Sequence, residues 1–140
     1  MKPSLSVSSI CLPPLSQGVS PGTLATVTGW GRLGVYEGAP HSSTLQAVTV
    51  PVLTRDECRK QPGASTPSAD QLCAGLSNTK HTACPGDSGG GLLVRDGDHR
   101  WTIIGIVSTG SVRCGLTPVL YHDIQSSLSW VHMVTRIQGA

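Results

Sequence analysis

A chain of 140 residues has the length for one domain with a real hydrophobic core. Its formal net charge of +2, from 10 Lys plus Arg against 8 Asp plus Glu, is too mild to imply nucleic acid or an anionic membrane as partner. No stretch approaches the roughly 20 apolar residues of a membrane span, while 17 Gly and 10 Pro point to short strands separated by many turns.

Residues 1–23 are rich in Ser and Pro, with Pro3, Pro13, Pro14 and Pro21, and read as a connector. Leu24 to Thr28 reads as a first strand, closed by Gly29-Trp30-Gly31, and Arg32 to Ser43 as a loop. Gln46 to Leu53 alternates, placing Val48, Val50 and Val52 on one face of a half-buried strand. Thr54 followed three residues later by Glu57 matches a capping box, so a short helix starts there. Gly91 to Val94, Trp101 to Ser108 and Val119 to His122 read as three further strands. The period then changes: Ile124, Leu128 and Val131 recur at helical spacing, and a neighbouring stripe of Trp130 and Val134 reads as core packing. The sum is an all-β domain, a small antiparallel barrel with one C-terminal helix.

Five cysteines in a chain this short suggest an oxidising compartment, and the odd number leaves one without an internal partner. Five free buried thiols are the alternative. No C-x-x-C or Cys/His metal spacing occurs, so neither metal nor cofactor is expected. The residues after Lys2 lack the apolar run of a secretory signal. A disulfide-like framework without an export signal is expected of the tail of a longer, secreted protein.

The chemistry-bearing segment is Gly86-Asp87-Ser88-Gly89-Gly90. It satisfies the loose pattern G-x-S-x-G of a nucleophile elbow, but that elbow needs a helix after the serine, and Gly-Gly-Gly-Leu-Leu-Val is a poor helix start. A tight Gly-rich surface turn is the bland alternative. A serine hydroxyl is a weak nucleophile at neutral pH and needs a base, usually His, oriented by a carboxylate.

The ordered pieces around that loop settle between these readings. Ile10-Cys11-Leu12-Pro13, Val27-Thr28-Gly29-Trp30-Gly31, Val50-Pro51-Val52 leading to Glu57-Cys58, Leu72-Cys73-Ala74-Gly75, Ala83-Cys84 with Gly-Asp-Ser-Gly-Gly, Ile106-Val107-Ser108, and Tyr121 with the Trp130-Val131 helix occur in one order. Together they resemble the C-terminal half of a trypsin/chymotrypsin-like serine protease, over nearly the whole chain from about residue 10. The resemblance implies the second antiparallel Greek-key barrel of a chymotrypsin-like fold, spanning 24–140, with 1–23 joining it to an N-terminal barrel supplied by the same longer chain or by another one.

By that resemblance Cys58 pairs with Cys73 and Cys84 with Cys114. Cys11 matches a position that in many members bonds to the N-terminal portion; a free thiol is the alternative. Ser88 would be the acylated nucleophile, the backbone N–H groups of Gly86 and Ser88 the oxyanion hole, and Asp87 the carboxylate that receives the newly cut N-terminus on zymogen maturation. Ser108, Thr109 and Gly110 would pair with an extended substrate backbone. Thr82 occupies the pocket-base position that is Asp in trypsin-like members, and Val119 a wall position that is often Gly. The implied pocket therefore favours small or medium uncharged side chains.

Other departures are Thr109 where Trp is common, Pro85 before the oxyanion loop, and Gly91 where Pro usually follows the glycines. The family's base and orienting Asp lie on the N-terminal barrel, and nothing here resembles Thr-Ala-Ala-His-Cys. His41 falls in a loop, His99 in a charged turn, and His81, His122 and His132 read as ordinary surface or partly packed residues. Asp96, Asp98 and Asp123 read as solvated turn carboxylates.

The expected function is serine-type endopeptidase by family, with protein or peptide substrates and protein inhibitors as partners. The chain would be the nucleophile-bearing half, inactive alone, with an exposed apolar face where the other barrel belongs. The competing expectation is a non-catalytic, protease-like binding module.

Overall fold

The computed structural model describes residues 6–36, 38–79, 81–111 and 113–135. Six strands and two helices follow in chain order: β1 (Leu24–Gly29), β2 (Gln46–Leu53), α1 (Arg55–Lys60), β3 (Gln71–Ala74), β4 (Gly91–Arg95), β5 (Trp101–Thr109), β6 (Val119–Asp123) and α2 (Ile124–Thr135). The strands close into a barrel in the order β1-β2-β3-β6-β5-β4, every pairing antiparallel. The first three strands are neighbours in sequence order, and β4 returns to lie beside β1. This is the all-β Greek-key barrel with one C-terminal helix that the sequence implies.

Alternation accounts for most of the interior. Ala25 and Val27 of β1 and Val50 and Val52 of β2 turn inward, where they meet Leu92, Ile104, Val107, Val119 and Tyr121. Tyr121 is fully buried and is the largest such side chain. Gly105 has no room for a side chain, because a Cβ there would sit 3.0 Å from the Tyr121 Cβ.

Two register shifts bend the barrel wall. Leu92 pairs with Gly105 but Leu93 with Ile103, and Val107 pairs with Tyr121 but Thr109 with Leu120. Each leaves one extra residue on β5, Ile104 and Ser108 respectively, and such bulges re-aim side chains locally.

Helix α1 starts as a capping box requires. The Thr54 hydroxyl accepts from the Glu57 N–H at 3.0 Å, and the Glu57 carboxylate accepts from the Thr54 N–H at 2.8 Å. The buried Cys58 then ties α1 to β3 through a disulfide with Cys73. Helix α2 buries Ile124 and Leu128 and packs against β5.

The stripe of Trp130 and Val134 is not core packing, contrary to expectation. Both are more than half exposed, as is Met133. The buried face of the helix is the one carrying Ile124 and Leu128, and Trp130, Met133 and Val134 lie off it.

The described part of the Ser/Pro-rich leading segment, residues 6–23, follows the barrel wall. The Cys11 N–H donates to the Trp101 carbonyl and the Cys11 carbonyl accepts from the Ile103 N–H, both at 3.0 Å. Further on, Gln125 Nε2 donates to the Leu15 carbonyl and the Gly22 N–H to that of Val52. Residues 1–5 and 136–140 lie outside the described residues.

Candidate active site

Ser88 sits on a loop stitched down at both sides. The Asp87 N–H donates to the Cys84 carbonyl and the Gly90 N–H to the Asp87 carbonyl, making two successive tight turns. The Gly89 N–H then donates to the Val107 carbonyl, and the Val107 N–H donates back to the Gly90 carbonyl. These bonds fix the loop to β5 immediately before β4 begins. Gly86 (φ +103°) and Gly89 (φ +82°) occupy backbone conformations that side chains disfavour, so glycine is needed at both turns. The Cys84–Cys114 disulfide joins this loop to the segment after β5.

Asp87 points inward and is held from two sides. One carboxylate oxygen accepts from the Gly31 N–H at 2.7 Å, the other from the Cys84 N–H at 2.9 Å. A Cβ on either Gly29 or Gly31 would overlap that carboxylate. The two glycines flanking Trp30 are therefore small because Asp87 occupies the space. Asp87 also lines a cavity of about 350 Å³, between the serine loop and the segment after β1. The nearby Tyr121 hydroxyl is buried with no hydrogen-bond partner, and burial first, then the Asp87 charge, push its phenol far above the usual range.

Ser88 itself is exposed and lines a second cleft of about 180 Å³ with Ala83, Pro85, Ser108, Gly110 and Val119. Among the described residues no acceptor meets the backbone N–H of Gly86 or Ser88, and no imidazole bonds the Ser88 hydroxyl. Val119 is buried and crowds the rim: its Cγ2 lies 3.1 Å from where a Gly110 Cβ would sit. Ser108, the extra residue of the β5 bulge, and Thr109 are exposed beside the cleft, their hydroxyls 3.4 Å apart.

The structure thus brings Ser88, Ser108, Thr109, Gly110 and Val119 to one cleft. It does not bring Thr82 there. Thr82 lines the larger Asp87 cavity, and its neighbour Ala83 faces the serine cleft. Cys11 is exposed and unpaired. No group of three or more His, Cys, Asp or Glu among the described residues could hold a metal ion.

A family model described as Trypsin matches residues 1–131, nearly the full length. The chain belongs to the trypsin family. Its two disulfides, its closed barrel and its Gly-Asp-Ser-Gly-Gly loop are thereby those of a serine protease lineage.

One neighbour of the trypsin-family loop escaped the sequence reading. His41, taken there as a loop residue, places its ring beside Gly86: a Cβ on Gly86 would lie 2.6 Å from its Cε1. The segment carrying it is a small hairpin, with Arg32 opposite His41, and the Arg32 N–H donates to the Pro85 carbonyl. The alternation of Gly and apolar residues there gives no period to detect. The His41 Nδ1 lies 3.4 Å from the Trp30 carbonyl.

Proposed function

We propose that Ser88 is the nucleophile of a secreted serine endopeptidase, and that this chain is its nucleophile-bearing half. The observation that carries the reading is an exposed Ser88 on a pinned loop, flanked by two unspent N–H donors, in a chain of the trypsin family. Attack by Ser88 Oγ on a peptide carbonyl places negative charge on the carbonyl oxygen. The free N–H groups of Gly86 and Ser88 are suited to receive that charge, at about 3–4 kcal/mol of barrier per donor.

An extended substrate would pair with the exposed Ser108–Gly110 edge, a form of strand addition. Its side chain next to the scissile bond would enter the cleft of Ala83, Gly110 and Val119, which is narrow and carries no charged side chain. A buried Lys or Arg would find no counter-ion there, so small or medium uncharged side chains fit best. The Asp87 cavity is the place for an entering α-amino group. That cation would add to the Gly31 and Cys84 donors and lock the loop.

The base and its orienting carboxylate would come from a partner barrel, since no imidazole among the described residues bonds Ser88. Alone, the chain would be slower than the assembled enzyme by about 10⁶-fold, the order lost when a triad base is removed.

Mixing the chain with an N-terminal barrel of the family tests this, with cleavage of a peptide bearing Ala or Val before the scissile bond as readout. Cleavage in the mixture alone, abolished by Ser88→Ala, is expected. Vigorous cleavage by the chain by itself would refute the half-site reading. A stable complex that never cleaves would favour a non-catalytic, protease-like binding module.

A further inference from the structure

A second serine in this chain has what Ser88 lacks. His122, on β6, places its Nε2 2.7 Å from the Ser127 hydroxyl on α2. Its other ring nitrogen, Nδ1, faces the Asp70 carboxylate at 3.8 Å. Among the described residues, this is the serine whose hydroxyl meets an imidazole, with a carboxylate on the far side of the ring.

The chemistry of each partner is consistent. The Ser68 hydroxyl, then Asp70's own backbone N–H, with a smaller contribution from His122, hold Asp70 below the ordinary carboxylate range, so it is ionised at neutral pH. A negative charge beside Nδ1 favours the tautomer with its proton there, which leaves Nε2 as acceptor for the Ser127 proton. The other local demands are met elsewhere. Ser126, not Ser127, donates to the Asp123 carbonyl, and the Asp123 carboxylate accepts from the Gln125 N–H. The register fixes the base, since His122 stands between Gln71 of β3 and Ile106 of β5. The His122 and Asp70 side chains are 37% and 59% exposed, so a small reagent can reach the pair.

We propose that Ser127 is a base-activated nucleophile, an acyl-acceptor site for small activated esters separate from the Ser88 cleft. With p-nitrophenyl acetate, a bond forms between Ser127 Oγ and the acetyl carbon. The bond from that carbon to the aryl oxygen breaks, p-nitrophenolate departs with the electron pair, and the hydroxyl proton passes to His122 Nε2. Base activation alone suits phenolate leaving groups rather than amide nitrogens, because oxyanion donors contribute separately.

The full 140-residue chain is treated with p-nitrophenyl acetate, quenched, reduced and cut after Lys and Arg. Ser127 falls on the fragment 114–136 and Ser88 on 81–95, so the two sites are read independently. Acetylation of Ser127 is expected to outrun that of Ser129 on the same fragment. His122→Gln should slow it by about 10²-fold, with Lys60 acetylation as internal standard. Asp70→Asn, at an exposed position outside the core, should lower the Ser127-to-Ser129 ratio by a smaller factor. Equal labelling of Ser127 and Ser129, or a ratio indifferent to Asp70→Asn, would overturn the proposal.

Discussion

Asp87 and Gly31, 56 residues apart in sequence, are joined by a 2.7 Å hydrogen bond from the Gly31 N–H to the carboxylate. The bond pins the residue before Ser88 to the turn that leaves β1. It also explains why no side chain is tolerated at Gly31, whose Cβ would fall within the carboxylate.

Gly31→Ala should therefore lower stability by about 1–3 kcal/mol, the cost of forcing a methyl group into filled space. Asp87→Ala in the same background removes the obstacle and should restore part of the loss. Urea denaturation of the two single variants and the double variant checks this, non-additivity being the expected sign of direct contact.

Val119→Gly should widen the serine cleft while opening a void in the core, because Val119 is 3% exposed. A stability loss of about 3 kcal/mol is expected. In an assembled enzyme the preference before the scissile bond should shift toward larger apolar side chains, read as relative kcat/KM on Ala, Leu and Phe peptides.

Cys58 and Cys73 close a segment with a sequence separation of 15, and Cys84 and Cys114 one of 30. In the chain-entropy treatment these contribute about 3 and 3.6 kcal/mol. Cys58→Ala with Cys73→Ala should lower the denaturation midpoint and loosen α1 first. Thr54→Ala should cost about 1 kcal/mol more modestly through the same helix, by removing its N-cap. Hydrogen exchange at the α1 amides distinguishes the two effects.

Acid should weaken the fold. Glu57 is held below the ordinary carboxylate range by hydrogen bonds with Thr54, Asp70 chiefly by Ser68, and Asp96 chiefly by the Arg100 N–H. A lowered folded-state value means stability present above the unfolded value and lost as pH falls through the folded one. Asp123 acts in the opposite sense: burial raises it, so its contribution is present at low pH and fades as pH rises through that raised value. Three groups against one predict a falling urea midpoint below about pH 4, and Glu57→Gln should flatten part of that slope.

The local features were the legible ones. Strand β2 announced itself through Val48, Val50 and Val52, and α1 through Thr54 and Glu57, because period and capping act within a few residues. Strand β3 was read only as part of a family motif. Its four residues are too few to show alternation, and its place is set by pairing with β2 and β6.

What stayed hidden was contact between distant segments. Nothing near Gly29 or Gly31 reveals the carboxylate that keeps them small, and nothing near His41 reveals Gly86. The exposure of Trp130 depends on how little of α2 the barrel covers, which period cannot report. His122 read as an ordinary surface or partly packed residue because its partners come from elsewhere, Asp70 from the turn before β3 and Ser127 from α2.

The pairing of β4 with β1 bears on how this molecule would self-associate. Apart from the short Ser108–Gly110 stretch beside the serine cleft, a sheet that returns to its starting strand presents no long row of unmet main-chain donors and acceptors to a neighbour. Clumping through Trp130 and Met133 would thus be a matter of greasy surfaces touching sideways, dissolved by dilution or mild detergent, rather than growth of ordered fibrils.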